Sequence, residues 1–233
     1  MNKTICFDSP LGKIEIVSTD KGIYKLSLAS QAPLIASEDM LLNKAKKQLI
    51  AYFNSELKDF DLPLDINRSA FFSEVYKNML KIPYGQTVSY SQLAKLSGNP
   101  KASRAVGMAN HTNNIAIIVP CHRVIGKNNK LVGFASGIWR KAALLSLESG
   151  KEYVEKLDNN SERIFSFGLK SPKGVYYNQD KDELVQLEKG QARLEVAGEY
   201  IELNTGDSYL INANKKHRVD FTSWDCVWYC KYL

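Results

Sequence analysis

The chain has no apolar run approaching the length of a membrane span. Its first residues do not make a signal peptide either, since Lys3 is followed by only a few apolar positions before Asp8. Both absences predict a cytoplasmic protein with no membrane partner. Cysteine is sparse. Cys6, Cys121, Cys226 and Cys230 are scattered, which excludes a disulfide framework in a reducing compartment. Cys226 and Cys230 have no second pair of ligands nearby, so they read as small buried hydrophobes rather than a zinc site. Acid is nearly missing from one segment. Residues 67 to 148 hold eleven basic side chains and only two acids, Glu74 and Glu148, for a net charge of +9. From Lys156 onward the balance is −1. Charge confined in this way suggests a polyanion partner for the middle segment alone, or else a solvated basic face.

With 44% apolar and 24% charged residues, 233 residues can bury one good core and a smaller second one. The alternating stretches KTICF, KIEIVS and GIYKLSL, separated by DSPLG and TDKG, predict a small antiparallel sheet. Apolar residues at helical spacing from Ser37 to Leu57 predict an amphipathic helix. DFDLPLD is an extended connector, because Pro63 holds Leu62 out of helix. SAFFSEVYKNMLKI is a second helix, stopped by PYG. Ser89-Tyr90-Ser91-Gln92 is a capping box ahead of LAKLSG. NPKASRAVGMANH opens another helix, with Asn99 as N-cap and Pro100 as first helical residue. Joined by a turn at Gly98, the two make a helix-turn-helix. Ala102, Ala105, Gly107 and Ala109 let the second helix come close to a surface, which is either a neighbouring helix or a nucleic-acid groove. IAIIV predicts a buried strand and KAALLSLE a further helix. KEYVEKLDNNSER reads as a linker. Beyond it, alternating strands punctuated by Gly190, Gly198 and Gly206 predict an all-β barrel or sandwich.

The buried run leads into Pro120-Cys121-His122-Arg123. A thiol attacks as thiolate, so a reactive cysteine needs a base or positive surroundings. His122 adjoins Cys121, and Glu148 is a candidate to fix the imidazole's tautomer. Neighbours on a strand point to opposite faces, so the pair needs a bent strand end or a water to carry the proton. A structural cysteine beside a surface histidine is the alternative that the residue types leave open.

Taken in order, Tyr90, RAVGMAN, Asn113, PCHRV, GFASG and LLSLE resemble the O6-alkylguanine-DNA alkyltransferases, the methylated-DNA–protein-cysteine methyltransferases. The resemblance covers residues 1 to 152, and IPYGQTVSYSQLA and IIVPCHRVIG are its longest ungapped matches. It implies a single-turnover transferase that repairs DNA by direct reversal. Cys121 would take the alkyl group from guanine O6, or from O4-alkylthymine, without a cofactor. His122 would take the thiol proton through a water, and Glu148 would orient His122. Tyr90 would donate to the guanine ring nitrogen, and the carbonyls of Cys121 and Val124 would read the exocyclic amine. The partner implied is double-stranded DNA containing alkylated guanine, bound through its minor groove by a monomer. Arg104 would fill the place of the flipped base, with Ala105, Gly107, Asn113 and Arg123 as further DNA-facing residues. Phe134, Ala135 and Ser136 would close the pocket with Val124.

Departures from the family pattern are also present. Ala135-Ser136 replaces a commoner SG or GG, which bears on pocket width. Asn114 stands in place of a frequent proline, predicting a looser hinge. Arg68-Ser69 and Tyr76 replace glycine-threonine and tryptophan, predicting packing changes. Of the zinc ligands some members carry, only Cys6 has a counterpart, so no zinc is predicted.

The C-terminal stretch DELVQLEKGQARLEV…LNTGDSYLINANKKHRV resembles a small cupin, with Glu183 and His217 at two of its metal-ligand positions. The other two ligands are missing, and two rarely make a good divalent site, so no metal is predicted there. The fold class is α+β. An N-terminal β-sheet subdomain (1–65) precedes a catalytic DNA-binding domain with the helix-turn-helix (66–152). A linker (153–163) leads to an all-β cupin-like barrel (164–233).

Overall fold

The structure, a computed structural model, describes residues 2–66, 68–127 and 130–233. The chain divides into two compact units, Met1–Lys141 and Ala142–Leu233.

In the first unit, β1 (Lys3–Phe7), β2 (Ile14–Ser18) and β3 (Ile23–Leu28) form an antiparallel sheet in the order β1-β2-β3. Alternation buries Ile14, Ile16, Ile23 and Leu26 on one face. Helix α1 (Met40–Phe53) is started by Asp39, whose carboxylate accepts from the Leu42 amide at 2.9 Å. It buries Leu42, Ala45, Leu49, Tyr52 and Phe53, a stripe at helical spacing, and packs against β1 and β2.

Helix α2 (Ala70–Leu80), the short strand β4 (Val88–Ser89), α3 (Tyr90–Leu96) and α4 (Ser103–His111) follow. The capping box is present. The Ser89 amide donates to Gln92 Oε1 at 2.7 Å, and the Gln92 amide donates to Ser89 Oγ at 3.2 Å. It places Tyr90 at the first position of α3. Helix α4 starts later than the sequence predicts. Asn99 instead organises the preceding turn, its carbonyl taking the Ala102 amide and its side chain taking the Lys101 amide. Gly98, at φ 83°, makes the reversal that an L side chain would strain.

IAIIV is buried but is not a strand. Ile115 makes a single bridge to Leu26, and Ile117 then takes a left-handed backbone, φ 67°, which ends any ladder. Cys121–Arg123 forms one 3-10 turn that leads into β5 (Val124–Ile125), paired in parallel with β4. Helix α5 (Ile138–Ser149) closes the first unit and opens the second.

The stretch read as a linker is a hairpin. In the second unit, β6 (Tyr153–Lys156) and β7 (Ser161–Phe165) pair and join a sheet in the order β11-β8-β13-β7-β6. The strands β8 (Glu183–Lys189), β11 (Ser208–Ile211) and β13 (Val227–Tyr232) complete it. The second sheet is β10-β9-β12, from β9 (Gln191–Val196), β10 (Glu199–Asn204) and β12 (His217–Thr222). These are two sheets rather than the expected barrel: among the described residues no pairing closes them on each other. Gly190, Gly198 and Gly206 sit at the three successive turns with φ from 87° to 96°. GVYY contributes only the Tyr177–His217 bridge. Leu187, Leu194, Ile211, Cys226 and Trp228 fill the space between the sheets. No helix among the described residues is long and apolar enough to cross a membrane.

Candidate active site

Pro120 bends the chain into the 3-10 turn, and its carbonyl accepts the Arg123 amide at 3.0 Å. The turn puts Cys121 and His122 inside the first unit, 6% and 0% exposed. The surface-histidine alternative is thereby excluded. Asn113 holds the approach to the turn. Its Nδ2 donates to the Val119 carbonyl at 2.9 Å, and its Oδ1 accepts from the Ile115 amide at 3.0 Å. The same side chain faces the thiol. Burial pushes the Cys121 thiol above its usual range. The Asn113 side chain, the Lys141 ammonium and the backbone amides of Cys121 and His122 oppose that rise.

Lys141 was missed by the sequence reading, although it interrupts an apolar helix face seven residues before Glu148. It is fully buried, and its Nζ donates to the carbonyls of Val124 at 2.6 Å and Val132 at 2.9 Å. Desolvation lowers its pKa to about 8, with the Cys121 charge acting the other way.

Tyr90 lies across from the thiol, half-buried, with its hydroxyl on the Val132 carbonyl at 3.3 Å. Burial raises its pKa and the Cys121 charge adds to this, while Asn110 lowers it. Asn110, also missed, is buried on α4 beside that hydroxyl. Neither its Nδ2 nor its Oδ1 makes a hydrogen bond among the described residues.

Arg104 is exposed on α4, and Ala105 and Gly107 are half-buried. A Cβ built on Gly107 meets nothing within 4 Å, so this part of the helix faces open space. Ala109, by contrast, belongs to the core. Arg123, expected to face DNA, is 5% exposed, donates to the Ile82 carbonyl at 2.6 Å and lies over the Tyr84 ring, so it ties the turn to the core. The two carbonyls assigned to reading the exocyclic amine already accept protein donors, Cys121 from the Val124 amide and Val124 from Lys141. Each keeps a second lone pair. Phe134, half-buried, and Ala135, exposed, stand in the loop before α5; the Phe134 carbonyl accepts the Gly137 amide, and that of Ser136 accepts Arg140. Glu148 is buried on α5.

The hinge is stitched rather than loose. Asn114 Nδ2 donates to the Tyr24 carbonyl at 2.7 Å, and Arg68 Nη2 donates to Asn114 Oδ1 at 2.7 Å. Tyr76 donates to the Ala109 carbonyl at 2.9 Å. In the second unit, Glu183 and His217 do come together, with Oε2 and Nε2 3.5 Å apart. No group of three or more His, Cys, Asp or Glu among the described residues could hold a metal ion.

Two family models match the chain. The 6-O-methylguanine DNA methyltransferase ribonuclease-like domain matches residues 3–66, and the DNA binding domain of the same name matches residues 70–150. A methylated-DNA–protein-cysteine methyltransferase of Methanosarcina acetivorans is 45% identical over 148 residues, 61% of this chain and 95% of that protein. One from Mycobacterium tuberculosis is 43% identical over 149 residues, 62% of this chain and 90% of that protein. The crystal structure of Mycobacterium tuberculosis OGT in complex with DNA superposes with a TM-score of 0.57 at 44% identity, covering 62% of this chain and 91% of that one. Nearly whole relatives thus align with the part of the chain that carries Tyr90 and the Cys121–His122 turn, and the chain belongs to the methylated-DNA–protein-cysteine methyltransferase family.

Proposed function

We propose that this protein repairs double-stranded DNA by moving an alkyl group from guanine O6 to Cys121 Sγ, once per molecule. The observation that carries the reading is the thiol itself, buried in a 3-10 turn with the Asn113 amide, the Lys141 ammonium and the Tyr90 hydroxyl around it. A thiol held in its neutral form by burial needs a base, and His122 takes its proton through a water. Glu148 holds His122 in the tautomer this requires. The S–C bond forms as the C–O6 bond breaks. Tyr90 turns from the Val132 carbonyl to the base and donates to a ring nitrogen as charge develops there. The proton taken by His122 returns through solvent, so guanine leaves neutral. A thioether is a stable product, and no cofactor takes part.

A base in a duplex must be extruded first, at a cost of a few kcal/mol. The exposed Arg104 enters the gap. The open face at Gly107 lets α4 lie in the minor groove, and the +9 segment attracts phosphates without regard to sequence. The protein acts as a monomer in the cytoplasm.

The test is the intact mass of the protein after mixing with a duplex carrying one O6-methylguanine. One methyl per molecule, located on Cys121 and absent from Cys121→Ala, is the outcome expected. Methyl transfer surviving in Cys121→Ala, or repeated turnover, would overturn the reading.

A further inference from the structure

The second unit holds a half-open cavity of about 260 Å³, lined entirely by its own residues. The strand alternation that builds the core also builds this space. Inward positions of β7, β8, β13 and β11 carry Ile164, Val185, Trp228 and Ile211 over its floor, with Leu194 from the facing sheet. Toward the other end of the same strands the inward positions change character. Glu162 stands opposite Cys230, and Glu183 stands opposite Tyr232. Glu152, just ahead of β6, is the third carboxylate on the wall.

These three carboxylates have only neutral donors or a histidine beside them. Glu152 accepts from Ser166, which in turn accepts from Trp228 Nε1 at 3.0 Å. Glu162 accepts from the Tyr232 hydroxyl at 3.0 Å. Glu183, 7% exposed, accepts from the Gln179 amide. His217 faces it at 3.5 Å while the Nδ1–H of the same ring donates to the Lys215 carbonyl at 3.0 Å. No lysine or arginine lines the cavity. The outer faces of the same sheets follow a different rule. There Glu155 and Glu188 pair with Arg163, Glu195 with Arg218, and Asp220 with Arg193. The guanidinium partners of this unit thus stand on the outer faces of its sheets, and none lines the cavity.

Glu183 is buried and Glu152 and Glu162 are half-buried, and a carboxylate drawn out of water without a full cation beside it carries a desolvation cost. The burden is visible in the groups around them. Burial raises the pKa of Glu152 and the charge of Glu162 adds to it, and the Cys230 thiol is pushed up by burial and then by Glu183 and Glu162. An apolar floor with three carboxylates above it, and His217 the sole basic side chain beside them, is complementary to a compact molecule with an apolar body and a positive head. The volume lies below the roughly 300–1,000 Å³ of drug-sized sites and suits a small ligand. Two ligating side chains, Glu183 and His217, are too few for a good divalent site. We propose that this cavity binds a small alkylammonium compound, its charged nitrogen held among Glu152, Glu162 and Glu183 and its carbon chain lying against Trp228 and Leu194.

The experiment is calorimetric titration of the full chain with 1,4-diaminobutane, with 1,4-butanediol as a neutral molecule of the same shape and manganese(II) as the metal probe. Saturable 1:1 binding of the diamine, with no binding of the diol, is expected. Glu183→Gln and Glu162→Gln should each weaken it by about tenfold or more, as loss of one charge-assisted contact does. Both variants should stay folded and melt close to the parent chain, so that a loss of diamine binding is read on folded protein. Should one fail to fold, the other carries the test. The proposal is overturned by equal binding of diol and diamine, by binding of manganese alone, by no diamine binding at about millimolar concentration, or by diamine affinity unchanged in the folded variants. Alkyl transfer to Cys121 is independent of this site, so its loss or retention does not bear on the outcome.

Discussion

Lys141 Nζ donates to the Val124 carbonyl at 2.6 Å, three residues beyond the cysteine that the lysine's charge supports. The ammonium is buried, and its pKa of about 8 lies below the ordinary 10.5. Below pH 8 both the folded and unfolded chains hold this proton, and the desolvation cost is fully present. Between pH 8 and 10.5 only the unfolded chain holds it, so folding stability rises with pH across that window, by about 3 kcal/mol at most. Lys141→Met should abolish the rise and slow single-turnover alkyl transfer by about tenfold or more at pH 7, through loss of the charge beside the thiolate. Denaturant melts at several pH values and a quenched transfer assay check both. A rise that persists in Lys141→Met would assign it to another group.

The Asn110 amide is buried beside the Tyr90 hydroxyl, close enough to favour its ionised form, yet neither of its polar atoms reaches full hydrogen-bond geometry among the described residues. A group left so costs about 1–3 kcal/mol. Asn110→Leu should therefore raise the melting temperature of the free protein. If the amide is reserved for an edge of the flipped base, the same change slows transfer by about tenfold with duplex affinity little altered. Stability and activity then move in opposite directions. A variant that is destabilised would show that the amide serves the fold.

Much of this was legible in the sequence because it depends on local chemistry. Ser89 and Gln92 declare the start of α3 by their spacing, and the three glycines of the β unit fall at its turns. What depends on tertiary context was not legible. Ile117 has a β-branched side chain in a β-rich run, yet it adopts a left-handed backbone that no propensity announces. Arg123 reads as a DNA contact beside Cys121 and His122, until the fold supplies the Ile82 carbonyl as its acceptor. Tyr153–Lys156 and Ser161–Phe165 look polar because one face of their hairpin is open to solvent. Lys141 was hidden because a lysine within an apolar helix face is usually read as solvent-facing.

Arg68 and Asn114, two departures from the family pattern, compensate each other. Asn114 lacks the rigidity of a proline but gains the Tyr24 carbonyl, and Arg68 ties its side-chain oxygen. Arg68→Ala and Asn114→Ala should each cost about 1 kcal/mol, and the double variant should cost less than their sum. Additive losses in a double-mutant cycle would show that the two contacts act separately.

Arg104 and Arg123 are both basic residues near the proposed groove, and the structure gives them opposite surroundings. Arg104 is exposed on α4, so its charge is free to neutralise a phosphate or enter the stack. Arg104→Ala should weaken binding to lesion-free duplex and reduce the slope of log affinity against log salt by about one, with folding stability unchanged. Arg123 instead donates to the Ile82 carbonyl from the core. Arg123→Ala should cost about 1.5–3 kcal/mol of stability, the worth of a buried hydrogen bond to a charged group, and leave the salt slope as it was. Fluorescence anisotropy over a salt series, run beside urea melts, separates the two. A reduced slope in a folded Arg123→Ala chain would return that residue to the DNA interface, because a guanidinium that stays in the core releases no counterions.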